Sequence, residues 1–331
     1  ERARLSYDYD GEGADYDFAT TKILSVVERC QTVSLKTTSE LLINRLFDCR
    51  AGKDGEGGNA LLIDGQLCER AGEAVFAYTL RCPGAYRLAD SLLEAVTINA
   101  VTLAGGTFSL TGALGFRTME GCDLFGYGEG APLGFSRLKL HMAEEGGTVL
   151  YRIDYDSLAL LRSDSREGSF PNVFPAAASA LTRETKPPGD VGVVNLGTPV
   201  TNSSLAEFTG AWWRLSFPLN IGNLGDLSGN AGFAVTVALC WRGNSFYAGI
   251  MPPGGVMGEG LTMSGVLGFT AKTMTLAPED CGEGEPAAYN LCFTGIALKL
   301  LKLALPPSGG VSLVIRGSRN GISWKAIYVK T

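Results

Sequence analysis

TGALGF at 111–116 and SGVLGF at 264–269 are near copies 153 residues apart (264 − 111), and the likeness continues on both sides of them. FSLTGALGFRTMEGCDLFGYGEGAPLGFSRLKLHM at 108–142 faces LTMSGVLGFTAKTMTLAPEDCGEGEPAAYNLCFTGIALKLLKL at 261–303. Each copy has an alternating apolar stretch, a Gly-Phe pair, a cysteine in an acidic glycine-rich loop, and a phenylalanine that opens a second alternating stretch. Phe135, Leu138, Leu140 and Met142 mark that second stretch in one copy; Phe293, Ile296, Leu298, Leu300, Leu301 and Leu303 mark it in the other. Period-two alternation puts apolar groups on one face of a pleated strand and polar groups on the other, so a chain that repeats it is expected to build sheets.

Flanking segments match in the same order. EAVFAYTLRCPGAYRLA at 73–89 faces FAVTVALCWRGNSFYAGI at 233–250, where a glycine-bearing break inside aromatic and β-branched residues reads as a hairpin. TVLYRIDYDSLAL at 148–160 faces VSLVIRGSRNGISWKAIYVK at 311–330. A length of 331 residues favours two domains over one core, and 44 glycines, about twice the usual ~7%, supply many turns. The expected fold is all-β: two related antiparallel units at 1–165 and 208–331, with 166–207 as a proline-rich linker or crossing segment. Five of the 14 prolines fall within 163–207. Two short helices are expected, TTSELLINRLFDC at 37–49 behind Ser39 and ADSLLEAV at 89–96 behind Asp90.

Net charge is −6, with scattered Lys and Arg, which argues against a nucleic-acid partner. The longest uncharged run, Ala95 to Phe116, carries ten Thr, Ser, Asn or Gly residues and reads as two strands around a Gly-Gly turn, so no transmembrane helix is expected. The chain starts at Glu1 without a basic-then-apolar leader, so any targeting segment is expected to have been removed or never present, and the chain to be a piece of a larger protein. Eight cysteines with no C-x-x-C pair exclude a zinc ribbon and a disulfide-dense mini-fold, and leave the compartment open.

Candidate chemistry is sparse. The one histidine, His141, lies opposite Leu138, Leu140 and Met142 in an alternating strand and reads as a solvated residue. No G-x-S-x-G or H-E-x-x-H motif occurs. YDYDGEGADYDF at 7–18 concentrates oxygen ligands, and Asp8, Asp10, Glu12 and Asp15 form the candidate calcium site. Its start resembles an EF-hand loop, but Ala19 stands where the bidentate Glu belongs. Asp154 and Asp156 would share a strand face, the arrangement a glycoside hydrolase would need if a partner carboxyl stood opposite. The glycine clusters at 126–130 and 282–284 carry acids and no Lys, so they read as turns rather than phosphate cradles. Trp212, Trp213, Trp241 and Tyr247 are the candidate binding aromatics; adjacent Trp212 and Trp213 must face opposite ways in a strand, so at most one is expected to be buried in a given core. Cys122 and Cys281 occupy matching loops, which duplication explains without a function, with a disulfide or an intermolecular link as the alternative.

The segments VALCWRGNSFYAGIMPPG, FTGIALKLLKLALPPSGGVSLVIRG and ISWKAIYVK resemble strand-rich repeats of very large bacterial proteins, over roughly the last 100 residues. VTINAVTLAGGTFSLTGALGF is loosely similar to amphipathic sheet repeats of lipid-handling envelope proteins. These resemblances imply a β-rich piece of an assembly and carry no cofactor or catalytic residue. The expected function is a non-enzymatic structural or binding module with a protein partner or further copies. The alternatives are a carrier of a hydrophobic ligand or lipid, with Leu298, Leu300 and Leu303 lining a groove, and, third, a glycosidase.

Overall fold

A computed structural model of the chain describes residues 14–53, 59–70, 73–104, 107–119, 122–145, 148–195, 203–220, 234–251, 261–263, 267–270, 273–279, 288–300, 303–305 and 310–329. The fold is all-β, built from antiparallel sheets. Among the described residues there is one α-helix, α1, of four residues (Phe170–Val173).

The chain divides into two compact units, residues 1–115 with 133–161, and residues 116–132 with 162–331. In the first, strands β1 (Tyr16–Glu28), β2 (Gln31–Ile43), β5 (Ala60–Arg70) and β6 (Glu73–Leu80) form a sheet in the order β1-β2-β5-β6. The second sheet takes β3 (Arg45–Leu46), β4 (Cys49–Lys53), β7 (Gly84–Leu88), β8 (Leu93–Ala104), β9 (Thr107–Phe116), β10 (Leu133–Glu145) and β11 (Thr148–Asp154) in the order β11-β10-β9-β8-β7-β4-β3, with β12 (Ala159–Leu160) on β10. Alternation sorts the faces. In β7, Gly84, Tyr86 and Leu88 are buried while Ala85 and Arg87 are exposed. The two sheets meet through aromatic contacts, Phe18 on Phe108 at 5.0 Å and Tyr78 on Phe108 at 5.3 Å, and Leu41, Ile43, Leu61 and Ile63 are buried there with Val96, Ile98 and Leu110. Gly84 is required at this contact, since a Cβ would stand 2.1 Å from Leu61 Cδ2.

The expected helices at 37–49 and 89–96 are strands instead: 37–43 belongs to β2, Arg45–Leu46 and Cys49 belong to β3 and β4, and Leu93 opens β8. Leu41 and Ile43 alternate toward the core, and lateral pairing with β1 and β5 outweighs a weak local helix preference.

The second unit has a five-stranded sheet of β13 (Ala180–Glu184), β14 (Val194–Asn195), β15 (Trp212–Asn220), β16 (Ala234–Arg242) and β17 (Ser245–Met251), in the order β13-β15-β16-β17-β14. Its other sheet takes β18 (Leu261–Met263), β19 (Leu267–Thr270), β20 (Thr273–Glu279), β21 (Ala288–Leu300), β22 (Leu303–Leu305), β23 (Gly310–Ser318) and β24 (Gly321–Val329), centred on β21. Residues 166–207, expected as a proline-rich linker or crossing segment, provide α1 and both outer strands of the five-stranded sheet. The loop 116–132, expected in the first unit, belongs to the second: Asp123 pairs with Arg166 at 2.8 Å, and the Asp123 N–H donates to the Tyr289 hydroxyl at 3.0 Å.

Strands β10 and β21, which contain Phe135 and Phe293, each carry a one-residue irregularity just after that phenylalanine. Pairing of β10 with β9 shifts register between Phe135 and Leu138, and pairing of β21 with β23 shifts between Phe293 and Ile296. Two residues past each phenylalanine the backbone turns left-handed, at Arg137 (φ 61°) and Gly295 (φ 60°).

Aromatic packing anchors the second unit. Trp241 meets Phe116 edge-on at 5.1 Å and Phe125 at 5.7 Å, and Phe116 stacks on Phe125 at 4.5 Å. Trp241→Ala is expected to destabilise the protein by about 3–5 kcal/mol, measured by denaturant unfolding of purified wild type and variant.

Candidate interaction surface

Strand β1 is the terminal strand of its sheet, and most of its length lies beyond the packed region. Tyr16 is buried and Phe18 packs on Phe108, but every residue from Ala19 to Glu28 is exposed. Those residues include Ile23 at 67%, Leu24 at 52%, Val26 at 43% and Val27 at 59%. An exposed apolar edge of this kind is rare in a protein that works alone, because unpaired backbone groups and uncovered side chains invite another strand.

Adjacent apolar pairs make both faces of this stretch apolar, and a bulge sets which face each residue takes. Thr20 pairs with Ser39 and Lys22 with Thr38, which leaves Thr21 as an extra residue in β1. The Thr21 hydroxyl is held by donating to the Thr38 carbonyl at 3.2 Å. An extra residue reverses the alternation beyond it. From Lys22 onward, Lys22, Leu24, Val26 and Glu28 share one face, and Ile23, Ser25 and Val27 share the other. The next register shift, between Val26 and Val27, places its extra residue in β2 at Val33. Lys22–Glu28 is therefore a regular seven-residue edge between the bulge and the turn at Arg29 and Cys30, both of which have positive φ.

The outer face beside this edge holds a hollow of about 450 Å³, whose lining includes Lys22, Leu24, Lys36, Thr38, Asp64 and Gln66. Registers align them in two rows, Leu24-Lys36-Gln66 and Lys22-Thr38-Asp64. Asp64 accepts from Arg81 Nε at 3.1 Å and Nη2 at 2.6 Å, and from Thr38 Oγ1 at 3.3 Å. The Arg81 guanidinium holds the Asp64 carboxyl below its ordinary value, so it stays ionised and serves as a cross-strand clamp.

The residues expected from sequence are distributed differently. Trp212, Trp213, Trp241 and Tyr247 are all buried, so none forms an exposed platform. Trp212 and Trp213 do face opposite ways, but both sides of their sheet are covered. Trp212 meets Phe208 at 5.7 Å in a cluster with Val193, Ala238, Cys240 and Tyr247, and its indole donates to the Lys186 carbonyl at 2.7 Å. Each of the pair is therefore buried on a different face of the sheet, and only Trp212 belongs to the Phe208 cluster.

Of the candidate calcium ligands, Asp8, Asp10 and Glu12 lie outside the described residues. Asp15 is buried and occupied within the protein: Oδ2 accepts the Ile153 N–H at 3.0 Å, and Oδ1 is 3.7 Å from Arg152. No cluster of three or more metal-ligating side chains occurs among the described residues. His141 is exposed, as its alternation implies. Asp154 and Asp156 do not share a strand face, because β11 ends at Asp154 and a 3₁₀ turn over Tyr155–Ser157 follows. Cys122 is buried, while Cys281 and the side chains of Leu298, Leu300 and Leu303 lie outside the described residues. Among the described residues no helix is long and apolar enough to cross a membrane.

The sequence reading missed β1. Its signal was TKILSVVE, where Ile23-Leu24 and Val26-Val27 are adjacent apolar pairs that no single-faced core can cover together. Comparison with family models, with curated proteins and with solved structures gave no match.

Two measurements follow from the buried groups. Burial pushes the Asp15 carboxyl above its ordinary 3.8, against the pull of the Ile153 amide and Arg152. The folded state then binds that proton more tightly than the unfolded state, so this contribution is present below 3.8 and is lost as pH rises through the folded value. Asp15→Asn keeps an oxygen acceptor for Ile153, and its stability relative to wild type is expected to increase as pH is raised from 3.8, read from unfolding curves across pH. Burial also pushes the Cys122 thiol up to about 11 and raises Cys240, whereas Cys30 and Cys82 are exposed. Brief alkylation of the native protein with peptide mapping is expected to label Cys30 and Cys82 and spare Cys122 and Cys240.

Proposed function

We propose that the chain is a non-enzymatic assembly module that associates through the β1 edge. The observation that carries this reading is the exposure of Ile23, Leu24, Val26 and Val27 on the terminal strand of a sheet. Strand addition there would satisfy the outward backbone groups and cover apolar area on both faces at once. The exposed Lys22 and Glu28 at the ends of the regular stretch keep that edge from pairing indiscriminately. A register shift after each of Phe135 and Phe293, with a left-handed residue two positions on, supports the accompanying reading of two related β units within one chain, although the first is against the preceding strand β9 and the second against the following strand β23.

Sedimentation velocity over about 10 μM to 1 mM protein tests the proposal, a range suited to an interface smaller than the standard size. Concentration-dependent association is expected for wild type and its loss for Leu24→Lys/Val26→Lys. Both side chains are exposed, so the variant keeps its circular dichroism spectrum and melting temperature. Association unaffected by the substitutions, or none in the wild type, would overturn the reading. Acyl chains extracted from the native protein would favour a lipid carrier instead.

A further inference from the structure

The regular part of β1 is complementary to itself. When Lys22–Glu28 is laid antiparallel on a second copy about an axis through Ser25, positions pair so that their numbers sum to 50 (22 + 28). Lys22 then stands opposite Glu28 of the other copy at both ends. Leu24 faces Val26, and Ile23 faces Val27, each pair occurring twice. Ser25 faces Ser25.

Face assignment agrees with this register. Residues directly opposite in an antiparallel pair lie on the same side of the sheet. Lys22, Leu24, Val26 and Glu28 lie on one side of β1, so the joined sheet would carry two ion pairs flanking two apolar pairs there. Ile23, Ser25 and Val27 would give two further apolar pairs around a small polar centre on the other side. Shifting the axis by one position in either direction, the smallest shift that keeps each face with its own kind, puts Lys22 opposite Val26 or Glu28 opposite Leu24, which strands charges against apolar groups. The Thr21 bulge and the Arg29–Cys30 turn bound the regular edge at both ends. They leave Ser25 at its centre.

We propose that the partner of β1 is the β1 of a second copy of this chain, joined antiparallel about a two-fold axis at Ser25 into one continuous sheet, four strands from each copy. This rests on the assembly reading above and specifies its geometry: the contact is isologous and closes at a dimer. A β1 that docked on a different edge, such as β6, would be heterologous and open-ended. Small size and charged ends make the contact weak and reversible. The opposite charges select the register and direction of pairing.

Charge exchange tests the geometry. Glu28→Lys and Lys22→Glu each place like charges opposite one another twice, and each is expected to weaken the dimer by about tenfold or more. Lys22→Glu/Glu28→Lys restores complementarity and is expected to return association to within about threefold of wild type. Ser25→Cys, tested with Cys30 and Cys82 replaced by Ser, is expected to form a disulfide between the two introduced thiols under mild oxidation, because opposite Cα atoms lie ~4.5–5.5 Å apart, within disulfide reach. Ile23→Cys in the same background is equally accessible but faces Val27, and is expected to cross-link poorly. If all charge variants associate alike, or Ile23→Cys links as readily as Ser25→Cys, while Leu24→Lys/Val26→Lys still abolishes association, the two-fold register is wrong and the assembly reading stands. Growth into open-ended oligomers would overturn the register in the same way. If no β1 substitution alters association, both fall.

Discussion

A pleated strand sends successive side chains to opposite faces, so a sheet protein is held together by whatever covers those two faces. Most of this molecule meets that constraint internally. The five-stranded sheet is covered on both sides, by Phe208 and Val193 on one and by Phe116 and Phe125 on the other, which lets Trp212, Trp213 and Trp241 all be buried in neighbouring strands. Strand β1 is where internal cover ends. Its first three residues reach the core, and the rest extend past it.

Two bulges show how one extra residue changes what a strand does. At Thr21 the inserted residue comes just after the last contact with the core and redirects every later side chain, so that Leu24 and Val26 appear on the face that carries Asp64 and Gln66. At Arg137 the bulge lies inside a packed sheet, with Phe135 and Leu138 buried on either side of it. There it keeps the apolar side chains facing inward across the interruption. The same device serves cover in one strand and exposure in the other.

Polar groups in the interior act as ties between distant segments. Asp15 fixes the start of β1 to Ile153 in β11, and Asp123 fixes the glycine-rich loop to Arg166 and Tyr289. Both carboxylates belong to acidic, glycine-bearing stretches that invite a metal or phosphate reading from sequence. Their partners are instead the Ile153 amide and Arg152 for Asp15, and Arg166 with the nearby Gly126 amide for Asp123.

Local pattern was enough to determine the β class, the alternating faces of β7 and β9, and the solvent position of His141, because period two depends only on neighbouring residues. The opposite directions of Trp212 and Trp213 were determined in the same way. Their common burial was not, since it depends on Phe116 and Phe125 covering one side of the sheet and Val193 and Phe208 the other. The helical spacing at 37–49 was a local preference that lateral pairing with β1 and β5 overrode. Only the tertiary structure decided that 166–207 closes a sheet and that β1 outruns its core, because the extent of cover over a strand is set by elements far away in sequence.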